Sequence, residues 1–230
     1  MAGAWDILAR TAYSRYRYDP LVKRVGSYSG RVEVRSSDYV YLGNRCELIS
    51  PKGQNDALMV ENESSGTQYF ALSVRMDDGW RGSDWGTILQ LHGPAVLGVH
   101  PSFHLQAGDH FSVFLHAGDL NGTHIDYTEY TFSNGVLNPG KWVDFIIKLK
   151  FSKDYDGSVD VWRRDEGETD FTSVLSLANV PTLQYKVSLG DHYWQMGYYR
   201  NNRYWTNVLW LDCFTRGDDY DAVVAKAWGS

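Results

Sequence analysis

The chain has 230 residues and a formal net charge of −6, with no extended run of Lys or Arg, which argues against bulk nucleic-acid binding, since that needs a basic stripe. This length suits one β-domain able to bury a core without disulfide or metal staples, and no stretch approaches the roughly 18 continuous apolar residues of a membrane span. Nine Trp, 16 Tyr and nine Phe favour pleated, half-buried surfaces and also suit the walls of sugar-binding grooves.

Residues 1–24 stand apart from the rest. Residues 5–10 read as a short helix, and Arg10, Arg15, Arg17, Lys23 and Arg24 outnumber Asp6 and Asp19, a local basic excess in an acidic chain. We therefore expect an N-terminal arm over residues 1–24, outside the sandwich, that docks to a larger assembly, followed by one domain over residues 25–230. Met1-Ala2-Gly3-Ala4-Trp5-Asp6 lacks a basic start followed by an apolar run, so it is not read as a secretory signal.

From Val25 the apolar period is two. Val32 and Val34 share one face, with Arg31, Glu33 and Arg35 on the other. Over residues 69–76, Phe70, Leu72, Val74 and Met76 point inward, and Ala71, Ser73 and Arg75 outward. The pattern recurs over residues 87–92, 110–116, 141–151, 158–162, 193–200 and 207–214. Turn signals separate these runs: Asp78-Gly79, Asn121-Gly122, Asn134-Gly135, Pro139-Gly140, Asp156-Gly157 and Arg216-Gly217. Many strands with almost no helical periodicity imply an all-β, two-sheet antiparallel β-sandwich. Cys46 and Cys213 are too few for a disulfide framework. Both lie in alternating segments, which suits two buried thiols, and a single bridge between them stays open.

Three of these strands set polar groups side by side on the face opposite the core. Leu89 and Leu91 pointing inward leave Gln90 and His92 together. Tyr193, Gln195 and Tyr199 share a face, with Gly197 between them. Arg45 and Glu47 share a face opposite Cys46 and Leu48. Other clusters offer less chemistry. Pro101 breaks the helix that a zinc pair at His100 and His104 would need. Asp154, Asp156 and Asp160 lack the spacing and terminal Glu of a calcium loop.

The order Arg45-x-Glu47, Gln90-x-His92, then Tyr193-x-Gln195-x-Gly197-x-Tyr199 resembles the heparin-lyase-like polysaccharide lyases, and is similar in motif order to alginate lyases. Gly30-Arg31-Val32-Glu33-Val34-Arg35 with Gly43-Asn44-Arg45-Cys46-Glu47-Leu48, Ile88-Leu89-Gln90-Leu91-His92-Gly93, Pro139-Gly140-Lys141-Trp142-Val143-Asp144 and Met196-Gly197-Tyr198-Tyr199-Arg200 carry the likeness, which runs from about Ser27 to Val223. It implies a concanavalin-like jelly roll and β-elimination at a uronic acid of an acidic polysaccharide. It implies Tyr199 as acid and also as base, with His92 the alternative base. Arg45 and Gln90 would stabilise the charge that builds on the uronate carboxylate. Glu47, Gln195, Tyr193 and Arg200 would bind substrate, Glu47 by orienting Arg45, and neither metal nor organic cofactor is required. One departure stands out: the alginate-lyase pattern has Lys where this chain has Gln195, which weakens charge neutralisation. The competing reading is a non-catalytic glycan-binding or structural module, such as a bacteriophage tail or virion surface protein. In either case the protein would act outside the cell, as a secreted mature form or on a virion.

Overall fold

The computed structural model describes residues 6–9, 15–40, 42–50, 60–93, 100–122, 125–186 and 191–229. The first half contributes β1 (Asp6–Ala9), β2 (Tyr16–Asp19), β3 (Ser29–Val34), β4 (Tyr39–Val40), β5 (Gly43–Ile49), β6 (Val60–Glu61), β7 (Thr67–Met76), β8 (Gly86–His92) and β9 (Phe103–Ala107). The second half contributes β10 (Phe111–Asp119), β11 (Ile125–Thr131), β12 (Trp142–Lys150), β13 (Gly157–Asp165), β14 (Thr172–Val180), β15 (Gln184–Tyr185), β16 (His192–Arg200) and β17 (Asn207–Gly217), then one helix, α1 (Tyr220–Trp228).

These strands form the expected sandwich of two sheets. One has ten strands along the path β1-β5-β16-β8-β9-β10-β11, with β4, β6 and β15 attached to its sides, and the other runs β14-β13-β12-β7-β17-β3-β2. Pairing is antiparallel except between β10 and the two-residue β15. The alternation in the sequence fills the space between sheets: Val32, Val34, Phe70, Leu72, Phe145 and Ile147 from one side meet Leu89, Leu91, Phe103, Leu105, Trp194 and Met196 from the other. A register shift between Thr87 and Leu89 turns both Ile88 and Leu89 into this core, which strict alternation does not anticipate.

The N-terminal segment departs from the expectation of an arm outside the sandwich. Residues 6–9 are a strand rather than a helix and pair with β5, while β2 pairs with β3 at the edge of the other sheet. Two of its basic residues are engaged within the molecule: buried Arg15 bonds Asp38 at 2.5 Å, and Arg24 reaches Asp144, while Arg17 and Lys23 are exposed. Residues 1–5 and 10–14 lie outside the described residues.

Ala71 and Ser73, expected outward, do leave the inter-sheet core, but α1 covers them. Asp219 caps α1 by accepting from the Ala222 N–H. Val223 and Ala227, four apart, pack with Ala71, Ile146 and Cys213 in a second small core. Cys213 sits there with a φ of 60°, whereas Cys46 sits between the sheets. Both thiols are free and buried, which closes the option of a bridge.

Candidate active site

The inward residues of β5, β16, β8, β9 and β10 leave a continuous set of polar and aromatic side chains on the outer face of the ten-stranded sheet. Register fixes their neighbours. Gln195 pairs with Gln90, Gln90 with His104, His104 with Phe114, and Phe114 with Glu129. One row along, Arg45 pairs with Tyr199, Tyr199 with Thr87, and Thr87 with Gln106. Gly197 lies opposite Glu47, and a Cβ there would collide with the Cys46 carbonyl oxygen. The glycine is therefore what lets β16 approach β5 and bring their two sets of side chains together.

The centre of this face is a chain of direct contacts. Gln90 Nε2 donates to Glu47 Oε1 at 2.5 Å and to Gln195 Oε1 at 2.7 Å. Arg45 Nε lies 3.3 Å from Glu47 Oε2, and the Arg45 guanidinium sits 3.5 Å above the centre of the Tyr199 ring, a cation–π contact. Trp85 meets that ring edge-on at 4.7 Å. Glu47, Gln90 and Gln195 are at most 2% exposed. Burial raises the Glu47 carboxyl pKa, and Arg45 and the Gln90 hydrogen bond only partly offset it. Burial also raises the Tyr199 hydroxyl, while Arg45 pulls it back through charge and hydrogen bonding.

His92 occupies a different part of the face. Its ring stacks on Tyr193 at 5.2 Å, and its Nδ1 lies 2.8 Å from the Gly93 carbonyl oxygen. A carbonyl only accepts, so Nδ1 is the donor in this contact. His92 pairs with Tyr193, whereas Tyr199 pairs with Thr87. Five residues of β8, and six of β16 across its register shift, therefore separate their backbone positions, about 16 Å at ~3.3 Å per residue along β8, with the glutamines between them.

Of the eight residues singled out from sequence, Arg45, Glu47, Gln90, Gln195 and Tyr199 come together, Tyr193 joins them through a side-chain hydrogen bond with Gln195, and His92 stacks on Tyr193 at the end of the row. Arg200 does not join them. It follows Tyr199 and so points to the opposite side of the sheet, where it is fully buried and donates to the Trp205 carbonyl at 2.6 Å; burial lowers its pKa.

Beside Tyr199 lies a well that the sequence motifs do not mark. Its volume is about 240 Å³ and its lining includes Trp85, His104, Gln106, Phe114, Tyr127 and Glu129. The signal was present in β9, where Phe103, Leu105 and Ala107 face the core and must turn His104 and Gln106 outward. His104 Nδ1 lies 3.2 Å from Thr87 Oγ1, and burial, with neighbouring imidazoles, pushes its pKa down to about 3. His100 and His116 stand 5.6 Å apart, ring to ring, yet among the described residues no three His, Cys, Asp or Glu side chains group as a metal site.

Residues 2–215 match the model of a family described as polysaccharide lyase. No curated protein sequence is significantly similar to the chain. Among solved structures, an endo-β-1,4-glucuronan lyase from the fungus Trichoderma reesei superposes with a TM-score of 0.73 at 14% identity, over 99% of this chain and 94% of that one. A PL-14 alginate lyase from Aplysia kurodai gives 0.62 at 11% identity, over 93% and 90%. A GH131 β-glucanase catalytic domain from Podospora anserina gives 0.60 at 12% identity, over 95% and 86%. At such identities the likeness is one of fold, and the fold serves more than one chemistry.

Proposed function

The chain belongs to the polysaccharide lyase family, and from that premise we propose that it cleaves a uronate-containing polysaccharide by β-elimination at the Arg45–Glu47–Gln90–Gln195–Tyr199 cluster. The observation that carries this reading is the unbroken run of contacts from the Tyr199 ring through Arg45 and Glu47 to Gln90 and Gln195. It sets a charge-stabilising group and a proton carrier side by side.

The reaction removes the proton from the carbon beside the uronate carboxylate and expels the glycosidic oxygen on the next carbon. Negative charge builds on the carboxylate in between. Arg45 supplies the positive charge that stabilises it, and the Gln90 and Gln195 amides supply polar contacts. With Gln195 where alginate lyases carry Lys, Arg45 bears more of this task. Glu47 holds the guanidinium in place. Tyr199, as phenolate, takes the carbon proton, and as phenol returns it to the departing oxygen. One fragment then ends in an unsaturated uronate and the other in an ordinary reducing end, with no water consumed.

The ~16 Å between the backbone positions of His92 and Tyr199 favours Tyr199 over His92 as base, because both proton transfers occur on atoms two bonds apart on one sugar. We assign His92 and Tyr193, as a stacked pair, to holding a neighbouring sugar. Such polymers lie outside cells, and we place the activity there; no helix among the described residues is long and apolar enough to cross a membrane. The test is ultraviolet absorbance of unsaturated product from a panel of uronate polymers. The wild type should release it, and His92→Gln should raise KM while kcat holds. A hundredfold fall in kcat for His92→Gln would return the base to His92.

A further inference from the structure

We infer that the well beside Tyr199 receives an uncharged sugar ring, so that the preferred polymer alternates uronate with neutral residues. This rests on the lyase reading above and names the class of substrate within it. The well shares Tyr199 with the reaction centre, so whatever fills it is the immediate neighbour of the sugar being cleaved.

Its walls are aromatic. Phe114 and Tyr127 meet edge-to-face at 4.9 Å, and Trp85 stands beside Tyr199 on the other side. Such rings pack against the C–H faces of a pyranose, whatever its charge. Thr87, His104 and Gln106 add neutral hydrogen-bonding groups suited to hydroxyls.

The charges set the selectivity. Neither Lys nor Arg is among the residues that line the well. Its charged group is the Glu129 carboxylate, held by Ser112 Oγ at 2.6 Å, with His110 Nε2 at 3.5 Å. Burial and neighbouring rings lower the pKa of His104, so it brings no cation there at neutral pH, and His100 is the other imidazole of the lining. A second uronate would set its carboxylate against Glu129 with no Arg or Lys of the lining to offset it. Across Tyr199 the site does hold a cation, Arg45, set over the Tyr199 ring and beside Glu47. The reaction centre thus offers a guanidinium to a carboxylate and the well beside it offers none, an arrangement that disfavours a polymer charged at every residue.

The experiment compares kcat/KM, per uronate, on two polymers of matched length: a homopolyglucuronate and one alternating glucuronate with a neutral hexose. The alternating polymer should be favoured by about tenfold or more, within what one like-charge contact near a protein surface costs. Glu129→Gln should narrow that ratio by raising the homopolymer value. Equal or better turnover of the homopolymer by the wild type overturns the inference and leaves the lyase reading standing. A ratio unmoved by Glu129→Gln overturns its assignment to this well. No unsaturated product from any polymer overturns the lyase reading, and this inference with it.

Discussion

Asp144, on the outer face of the seven-stranded sheet, and Glu47, on the outer face of the ten-stranded sheet, are both at most 1% exposed, yet they are treated in opposite ways. Asp144 accepts from Ser73 Oγ at 2.6 Å, from Arg24 Nε and Nη2 at 3.0 and 2.8 Å, and from Arg164 Nε and Nη2 at 3.0 and 2.7 Å. Trp228 of α1 donates to the same Ser73 oxygen at 2.9 Å, so the network ties the helix and the N-terminal segment to the sheet. Glu47 accepts from Gln90 and faces Arg45, with Oε2 outside hydrogen-bond geometry. The difference teaches that a buried charge is not in itself a mark of function. A carboxylate whose lone pairs are filled by fixed donors holds structure together. One left short of donors, on an uncovered face and next to a cation, has a pKa that surroundings and ligand can move.

The comparison breaks first at Asp144. Asp144→Ala should cost about 3–5 kcal/mol in urea denaturation, because two guanidinium groups lose their partner, while the protein that stays folded keeps its kcat. Unchanged stability would show that the network is ornamental. His104 gives the next effect, through pH. Its folded pKa of about 3 lies below the ordinary value, so the unfolded chain binds the extra proton. Stability is full above about pH 6.5 and declines as pH falls toward 3, by a few kcal/mol. His104→Gln should flatten that part of a denaturation-versus-pH curve. Arg45→Gln sharpens the other side. It should lower kcat/KM by roughly 10²-fold, as for loss of one charge-stabilising group. It should also shift the pH–rate profile to higher pH, since Arg45 lowers the Tyr199 pKa. A profile that keeps its position would detach Arg45 from Tyr199.

Much of this was legible in the sequence, and the rest was hidden for physical reasons. Period-two alternation revealed the long strands because each has one face in the core. Edge strands such as β2 bury little on either side, so residues 16–19 carry no such pattern. The nine residues of α1 anchor through Val223 and Ala227, too few to announce a helical period. In the site, alternation was sufficient for Arg45, Glu47, Gln90, Gln195 and Tyr199. The same rule, applied one residue further, assigns Arg200 to the opposite side, where the structure has it. Distance along a strand pair is another matter: that His92 and Tyr199 share a face follows from parity, but their separation depends on the register of β16 against β8.

The central claim is that the outer face of the ten-stranded sheet does chemistry through Tyr199, and kcat of Tyr199→Phe tests it most directly. The substitution removes one oxygen and leaves the ring under Arg45 and beside Trp85. Release of unsaturated uronate should fall by ~10²-fold or more, with the urea midpoint and polymer binding unchanged. A Tyr199→Phe protein that turns over at the wild-type rate would contradict the account.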